Sequence, residues 1–186
     1  RDGHELARLA AGHAGIPAEE MLVCSTGVIG HFLPMEKLGG AMPTIVLHRD
    51  GGMEFARAIM TTDTRPKSGA VRFGPYTIGG SCKGSGMIHP NMATMLAFLT
   101  TDAPVEGAFL QQVFAKAVDD SFNLVSVDGD TSPSDTALLF ANGAAGGDRI
   151  RPGHELAAEF EAALRDLCVY LAKEVARDGE GATRLI

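Results

Sequence analysis

One threonine in the sequence stands where a hydroxyl could act as a nucleophile. The stretch HPNMATMLAFL, residues 89–99, puts Thr94 after a Pro-Asn turn signal and the small residue Ala93, directly before an apolar run. A threonine hydroxyl attacks a carbonyl group efficiently only when a base removes its proton. His89 is near in sequence, but only a particular fold would bring it to Thr94.

The missing base could come from Thr94 itself. If the bond between Ala93 and Thr94 is cut, the freed α-amine, with a reference pKa of about 7.7–8.0, can accept the hydroxyl proton at neutral pH. A strained turn and glycine-rich backbone would assist the cut, and Gly84 and Gly86 are near in sequence. On these features alone, the simpler interpretation is a β-branched residue that opens a buried strand.

Several other stretches approach known motifs and fail at a required position. In GGSCKGSG, residues 79–86, the lysine precedes the second glycine, whereas a phosphate-binding P-loop requires it afterwards. HELAR and HELAA lack the second histidine of a zinc-protease helix. DGDTSP, residues 128–133, has a proline where a calcium loop requires glycine. The sequence contains no G-x-S-x-G elbow.

The composition favours a globular fold and excludes some partners. The 186 residues carry 23 acidic and 16 basic side chains, and this net charge of −7 argues against a nucleic-acid partner. The 45% hydrophobic and 21% charged fractions are typical of a globular domain. The 23 glycines, about twice the usual share, favour a site built from loops. No long apolar run or basic amphipathic helix predicts a membrane contact.

The cysteines and the chain ends indicate the cellular context. Cys24, Cys82 and Cys168 are odd in number and widely spaced, which predicts neither a disulfide framework nor a zinc site. They fit a reducing compartment, so we expect a cytoplasmic protein. The sequence begins at Arg1 within a helical pattern and ends soon after a strand pattern starts at Ala182. We therefore expect an internal segment of a longer protein.

Helices and strands alternate irregularly along the chain, which predicts a layered α/β or α+β fold. The first half predicts helices over 3–14, from Pro34 and over 52–60, a buried strand over 21–30 and a hairpin that turns at Gly74-Pro75. The second half predicts strands over 94–103, 122–127 and 136–142 and a helix over 104–120 capped by Thr101 or Asp102. It also predicts a helix over 153–177, whose apolar stripe is Leu156, Phe160, Leu164, Leu167, Leu171 and Val175.

The sequence resembles one enzyme family in five places. KGSGMIHPNMATMLAFLTTDA, residues 83–103, resembles the self-cleavage segment of the ornithine acetyltransferase family, also called glutamate N-acetyltransferase or the bifunctional arginine biosynthesis protein. The other stretches, in the order of the family motifs, are CSTGVIG, MTTDT, DGDTSPSDTALLFANGAAG and DGEGATRLI. The resemblance therefore covers essentially the whole chain.

The resemblance implies a self-cut between Ala93 and Thr94, after which Thr94 is the N-terminal nucleophile. Acetyl would pass from N2-acetylornithine to the Thr94 hydroxyl and then to glutamate, in a ping-pong cycle of arginine biosynthesis. Thr26 and Gly27 match the pair that forms the oxyanion hole. An ordinary turn is the structural alternative for this pair.

Substrate-binding positions of the family match Thr62, Lys83, Thr94 and Glu180. Lys83 would suit a carboxylate, and Glu180 the cationic end of ornithine. A neighbour, Thr61 or Thr64, could take the role of Thr62, and a solvated surface position is the alternative for both charged residues. Two further family contacts would lie beyond residue 186.

The resemblance also implies a fold and an assembly. Two sheets would lie between helical layers, as a helix-sheet-sheet-helix sandwich. Residues 1–93 would end an α chain and residues 94–186 would begin a β chain, within one continuous fold that assembles as a heterotetramer. The resemblance implies no cofactor and no metal, and it leaves open whether acetyl-CoA is an alternative acetyl donor.

Two other functions stay open. A relative on the same scaffold could use the Thr94 nucleophile as an amidohydrolase or aminopeptidase-like enzyme, without transfer to glutamate. The segment could instead be inactive and serve only assembly. Within the loop 128–135, Asp128, Asp130 and Asp135 could bind a cation, but a structural turn is the favoured interpretation.

Overall fold

The computed structural model describes residues 2–89 and 95–184, and the chain divides into two compact units, Arg1–Gly51 and Gly52–Ile186. The first unit contains helices α1 (Asp2–Ala14) and α2 (Met35–Ala41) and 3-10 helices at Ala18–Glu20 and Met42–Thr44. Both helices were predicted, but the one predicted from Pro34 was expected to carry Ile45 and Val46, which lie beyond its end at Ala41. Pro34 immediately precedes α2, where its fixed φ and missing N–H are tolerated.

The strand predicted over 21–30 is wrong. Residues 21–28 are irregular, and Ile29 and Gly30 form a turn. Much of this run is exposed, including Leu22 and Val28 at 58% and 72%. A short apolar run forms a strand only when a neighbour satisfies its backbone groups, and the described part of the first unit contains no strand.

The second unit holds the sheet and the larger helices. In chain order its elements are α3 (Gly52–Ala58), β1 (Lys67–Phe73), β2 (Tyr76–Lys83), β3 (Leu96–Thr101), α4 (Gly107–Asp119), a 3-10 helix (Phe122–Leu124), β4 (Thr136–Ala141) and α5 (Ala157–Arg177). The mixed α/β class predicted from the sequence is confirmed. Within 2–89 and 95–184 there is one four-stranded sheet, so the two-sheet sandwich stays a prediction.

The sheet has the order β1-β2-β3-β4. β1 and β2 form the predicted hairpin, and Gly74 in its turn has a φ of 46°, which favours glycine. β2 and β3 are antiparallel, with Lys83 opposite Leu96. β4 is parallel to β3, because the connection between them crosses over through α4.

Different helices cover the two faces of the sheet. Gly69 and Gly80 lie opposite one another and face α5, where a Cβ on Gly69 would lie 2.9 Å from the Tyr170 ring. The absence of both side chains therefore lets α5 approach closely. On the other face, Phe55 of α3 meets Phe98 edge-on, with ring centroids 5.1 Å apart. The predicted apolar stripe of α5 is buried at Phe160, Leu164, Leu167, Leu171 and Val175. Its first predicted member, Leu156, immediately precedes the helix and is partly buried.

Three local predictions in the second unit are wrong. Thr101 and Asp102 do not cap α4, because their side-chain oxygens bond to the backbone of Thr77 in β2, at 2.8 and 2.9 Å. The stretch 122–127, predicted as a strand, is a 3-10 helix followed by irregular chain. Phe122 is the one buried apolar residue in this stretch. No strand begins at Ala182 within the described residues up to 184.

Candidate active site

The loop that follows β2 brings two of the predicted substrate-binding residues together. The Thr62 hydroxyl shares a hydrogen bond of 2.6 Å with the hydroxyl of Ser85, which is 2% exposed. The Glu180 N–H donates to the Ser85 carbonyl at 2.7 Å. A Cβ on Gly86 would lie 2.7–2.8 Å from the Glu180 carboxyl group, so that carboxylate lies directly against the glycine backbone.

Lys83, the third of these residues, ends β2 immediately before this loop. It is 1% exposed, and its Cα pairs with that of Leu96 at the start of β3. Its positive charge acts on the Asp135 carboxyl group at the start of β4. The predicted surface alternative for Lys83 is therefore wrong, whereas Thr62 and Glu180 are solvent-exposed residues.

A buried ion triad supports this cluster from beneath. Lys67 Nζ lies 2.5 Å from Asp63 Oδ1 and 2.5 Å from Asp178 Oδ2. The side chains of the three residues are between 0% and 4% exposed. A buried charge must be paired and hydrogen-bonded to be tolerated, so the geometry of this triad is fixed within narrow limits.

Backbone groups next to the predicted substrate residues bind the same triad. Asp63 accepts the Gly84 N–H at 2.8 Å and the Thr61 N–H at 3.1 Å. Asp178 accepts the Thr64 N–H at 3.0 Å and the Thr64 hydroxyl. The triad therefore orders the chain beside Thr62, beside Lys83 and just before Glu180. The motifs did not indicate this role, although Asp63 and Asp178 lie inside two of the family-like stretches.

The triad shifts the titration of both aspartates. Burial alone would raise the pKa of the Asp63 carboxyl, but the hydrogen bonds from Lys67, Gly84 and Thr61 outweigh it and lower that pKa. Burial is likewise overcome at Asp178, whose pKa is lowered by hydrogen bonds from Lys67 and Thr64. Both groups therefore stay ionised in the folded chain below the pH at which they would protonate when unfolded.

We expect the triad to steepen the loss of stability in acid. Since both folded pKa values are lowered, the stability that these carboxylates contribute is complete above the unfolded pKa of about 3.9 and is lost as the pH falls toward the folded values. The urea midpoint should therefore fall between about pH 5 and pH 3. The fall should be smaller in Asp178→Asn. Asp135, whose pKa is raised, affects stability in the opposite sense, but it is present in both proteins and does not alter the comparison. An equal fall of the urea midpoint in both proteins would therefore contradict the role of Asp178.

The predicted oxyanion pair lies in the other unit. Thr26 and Gly27 belong to Arg1–Gly51, whereas Thr62, Lys83 and Glu180 belong to Gly52–Ile186. The Thr26 Oγ1 atom is buried without a hydrogen bond to any described residue, and Gly27 is exposed. The role of this pair therefore stays a prediction.

Ala93 and Thr94 lie outside the described residues, so the predicted cleavage site and nucleophile also stay predictions. The described chain continues at Met95, whose N–H donates to Asp135 Oδ1 at 2.7 Å. The next residue, Leu96, begins β3 opposite Lys83. The predicted substrate-binding residue Lys83 thus lies beside the strand that follows Thr94 in the sequence.

Other reactive groups are poor candidates for this chemistry. Burial raises the pKa of Cys82 and of Cys168 to about 12, so neither thiol is an effective nucleophile at neutral pH. Within 2–89 and 95–184, no group of three or more His, Cys, Asp or Glu side chains is arranged to hold a metal ion. No helix in those ranges is long and apolar enough to cross a membrane.

A groove of about 650 Å³ includes Glu180 in its lining. Val127, Lys173 and Arg184 are among its lining residues, whereas Thr62 and Lys83 are not. The predicted substrate-binding residues therefore do not converge on this groove.

Comparisons with known proteins agree on one family. The ArgJ family model matches residues 1–186. The chain is similar to the arginine biosynthesis bifunctional protein ArgJ of Symbiobacterium thermophilum, with 53% identity over 192 residues that cover 100% of this chain and 48% of that protein. The ArgJ protein of Geobacter sulfurreducens is 49% identical over 191 residues, which cover 100% of this chain and 49% of the relative. The chain therefore spans about half the length of these curated relatives.

A solved structure is also similar to this chain. The crystal structure of the arginine biosynthesis bifunctional protein ArgJ from Bacillus halodurans is 44% identical, with a TM-score of 0.48. That match covers 49% of this chain and 43% of the crystallised chain.

Proposed function

The chain belongs to the ArgJ family, and on that premise we propose that the protein is an acetyltransferase of arginine biosynthesis. It moves the acetyl group of N2-acetylornithine to glutamate through an ester on Thr94. The observation that carries this proposal is that the loop 84–86, which directly follows Lys83, contacts both Thr62 and Glu180. These three positions were chosen from motif resemblance alone, and they lie in separate parts of the sequence. Their proximity in the structure is therefore independent support for the proposal.

The first step is a self-cut that creates the nucleophile. The Thr94 hydroxyl attacks the Ala93 carbonyl carbon, the C–N bond breaks, and the Thr94 nitrogen takes up a proton to become an α-amine. Water then hydrolyses the resulting ester, which leaves a carboxylate on Ala93 and restores the Thr94 hydroxyl. The free amine has a reference pKa of about 7.7–8.0, so it can act as the base in later steps.

Acetyl transfer repeats the same chemistry on a substrate. The Thr94 hydroxyl attacks the acetyl carbonyl of N2-acetylornithine, and ornithine leaves with its α-amine protonated. The α-amine of glutamate then attacks the acetyl ester, and the Thr94 oxygen regains its proton as N-acetylglutamate leaves. Each attack forms an oxyanion, for which we propose Thr26 and Gly27 as hydrogen-bond donors.

Charge complementarity assigns the remaining roles. Lys83 is fully buried, so its ammonium group would act on a substrate carboxylate in a medium of low dielectric constant. Glu180 lies against Gly86 with an exposed side, which suits the cationic end of ornithine. Thr62, which precedes β1, offers a hydroxyl that is held beside this loop by its hydrogen bond to Ser85.

We further propose that the two chains produced by the cut remain associated. β2 precedes the cut and β3 follows it, and six Cα pairs join these strands, from Ile78↔Thr101 to Lys83↔Leu96. The α chain ending at residue 93 and the β chain starting at residue 94 would therefore share one sheet. Assembly into a heterotetramer, a cytoplasmic location and the absence of a cofactor or metal requirement belong to the same proposal.

An acetyl-transfer assay on the complete protein tests the proposal. With N2-[¹⁴C-acetyl]ornithine as donor, label should appear in N-acetylglutamate when glutamate is present. Label released only as acetate, whether or not glutamate is added, would identify the amidohydrolase alternative. No turnover of folded, cut protein would favour a segment that serves only assembly. A parallel assay with labelled acetyl-CoA decides whether it is a second donor.

Gly86→Ala is expected to raise the KM for N2-acetylornithine by about 10- to 100-fold, as when a charge-assisted contact of about 1.5–3 kcal/mol is lost. The new Cβ would lie 2.7–2.8 Å from the Glu180 carboxyl group and would displace it. Steady-state kinetics of the variant and the wild type measure the effect.

Gly107→Ala is the matched control for this substitution. Gly107 begins α4 and has no atom within 4 Å of an added Cβ. The KM of this control should match that of the wild type. A Gly86→Ala enzyme with unaltered KM would contradict the assignment of Glu180 to the substrate.

A further inference from the structure

The polar loop 128–135 contacts the chain on both sides of the segment 89–94. At one end, Asp128 accepts the N–H groups of Met87 and Ile88, the latter at 2.8 Å. At the other end, Asp135 accepts the Met95 N–H at 2.7 Å. Each end of one short loop therefore binds one boundary of the segment that contains the predicted cut.

Backbone hydrogen bonds reinforce both contacts. The Val127 N–H donates to the Ile88 carbonyl at 2.7 Å, next to the Asp128 contact. The Thr136 N–H donates to the Met95 carbonyl at 3.1 Å, next to the Asp135 contact. Ile88 and Met95 are 2% and 4% exposed, so both boundaries are also anchored in the core.

The upstream boundary is held in a strained conformation. Met87 has a φ of 55°, the one positive φ of a non-glycine residue in 2–89 and 95–184. An L-residue with a side chain rarely adopts this left-handed region, because its Cβ lies too close to the following carbonyl oxygen. The Asp128 carboxylate bonds to the N–H of this same residue, and a carboxylate makes stronger hydrogen bonds to N–H groups than a neutral acceptor does.

The downstream boundary is held by the carboxyl group of Asp135, which uses one of its two oxygens for this contact. Asp135 Oδ1 binds the Met95 N–H, and Asp135 Oδ2 is buried without a hydrogen bond to any residue in the described ranges. Burial raises the pKa of this carboxyl, while the nearby charge of Lys83 acts in the opposite direction. Asp135 therefore links the strand that follows Thr94 to the predicted substrate-binding lysine.

We propose that Asp128 and Asp135 are positioning residues for the self-cut, because they clamp the chain at Met87, Ile88 and Met95, on both sides of the predicted cleavage bond. This inference rests on the proposed function. Fixing both ends of six residues removes much of the conformational freedom that would otherwise oppose the attack. Precise placement of reacting groups accounts for a large part of the rate of such intramolecular reactions.

The test follows the first-order appearance of cut chains by intact mass, in the complete protein refolded from denaturant. Asp128→Ala and Asp135→Ala should cut about 10- to 100-fold more slowly than the wild type, as for a small misplacement of reacting groups. Asp130→Ala is the matched control, because Asp130 contributes its backbone N–H to Asp128, at 3.2 Å, and not its side chain. It should cut at the wild-type rate. Circular dichroism and thermal unfolding establish that each variant is folded.

Asparagine variants separate positioning from a general loss of structure. Asp135→Asn keeps an oxygen for the Met95 N–H and should restore most of the rate. In Asp128→Asn, an amide N–H₂ group replaces one of the two oxygens that accept the Met87 and Ile88 N–H groups. This variant should therefore still cut slowly. If the alanine variants do not fold, the cutting rates of the two asparagine variants test the clamp. Cutting by Asp128→Asn that is as fast as, or faster than, cutting by Asp135→Asn would overturn it.

The remaining outcomes distinguish the clamp from the function on which it rests. Alanine variants that fold and cut as fast as the wild type and Asp130→Ala would overturn the clamp alone. A folded wild type that never cuts would overturn the proposed self-cleavage, and the clamp with it. Slow cutting in both alanine variants, with normal cutting in the control, is the result that the structure predicts.

Discussion

Replacing Lys67 by methionine is expected to lower the free energy of unfolding by about 3–5 kcal/mol, the usual cost of removing one partner from a buried ion pair. Lys67 Nζ is the shared partner of Asp63 and Asp178, at 2.5 Å from each, and its side chain has no exposed surface. Methionine preserves much of the side-chain volume, so the loss reports charge and not a cavity. Urea unfolding measures the change.

Arg65→Met is the matched control for this measurement. Arg65 pairs with Glu174 at 3.1 Å, but its side chain is 47% exposed, and exposed pairs contribute less than about 1 kcal/mol. The variant that carries Lys67→Met together with Asp63→Asn and Asp178→Asn should recover part of the loss, because no uncompensated charge remains. A Lys67→Met variant no less stable than Arg65→Met would show that the triad does not hold the site together.

Thr94→Ala is expected to reduce acetyl transfer by at least about 10³-fold, since it removes both the nucleophile and the proposed carrier of the acetyl group. Thr94→Ser keeps a hydroxyl and an α-amine after the cut, so it should retain measurable transfer. In the wild type, acid quenching during turnover should trap an acetylated peptide that begins at Thr94. Transfer by Thr94→Ala within about tenfold of the wild type would contradict a covalent mechanism.

Local signals account for the parts of the fold that the sequence predicted correctly. The apolar stripe of α5 repeats with the helical period, and five of its six predicted members are buried. The hairpin at Gly74-Pro75 follows from turn chemistry flanked by strand-forming residues. Such patterns depend on residues within one element, so a single sequence is sufficient to read them.

The incorrect predictions depend on partners that are distant in the sequence. Residues 21–28 have the composition of a buried strand, but composition alone does not supply the neighbouring strand that the backbone requires. Thr101 and Asp102 have side chains that commonly cap helices, but both form hydrogen bonds with the backbone of Thr77 in β2 instead. In each case a tertiary contact decided the local structure.

The candidate site shows the same division. The motifs indicated Thr62, Lys83 and Glu180, because resemblance preserves residue types at fixed positions along the chain. They did not indicate the buried triad, in which Lys67 and Asp178 are 111 residues apart. Nor did they indicate that Asp128 and Asp135 would bind Met87, Ile88 and Met95. These contacts follow from the register of the sheet and from the loop at its edge.

The most direct test of the central claim is the intact mass of the complete protein, expressed from its gene and purified under folding conditions beside Thr94→Ala. A self-cut by Thr94 predicts two chains for the wild type, one ending at Ala93 and one beginning at Thr94, whose masses sum to that of the precursor plus one water. It predicts a single uncut chain for the folded variant. A folded wild type that stays whole, or a Thr94→Ala protein cut at the same bond, would show that the Thr94 hydroxyl does not perform this chemistry.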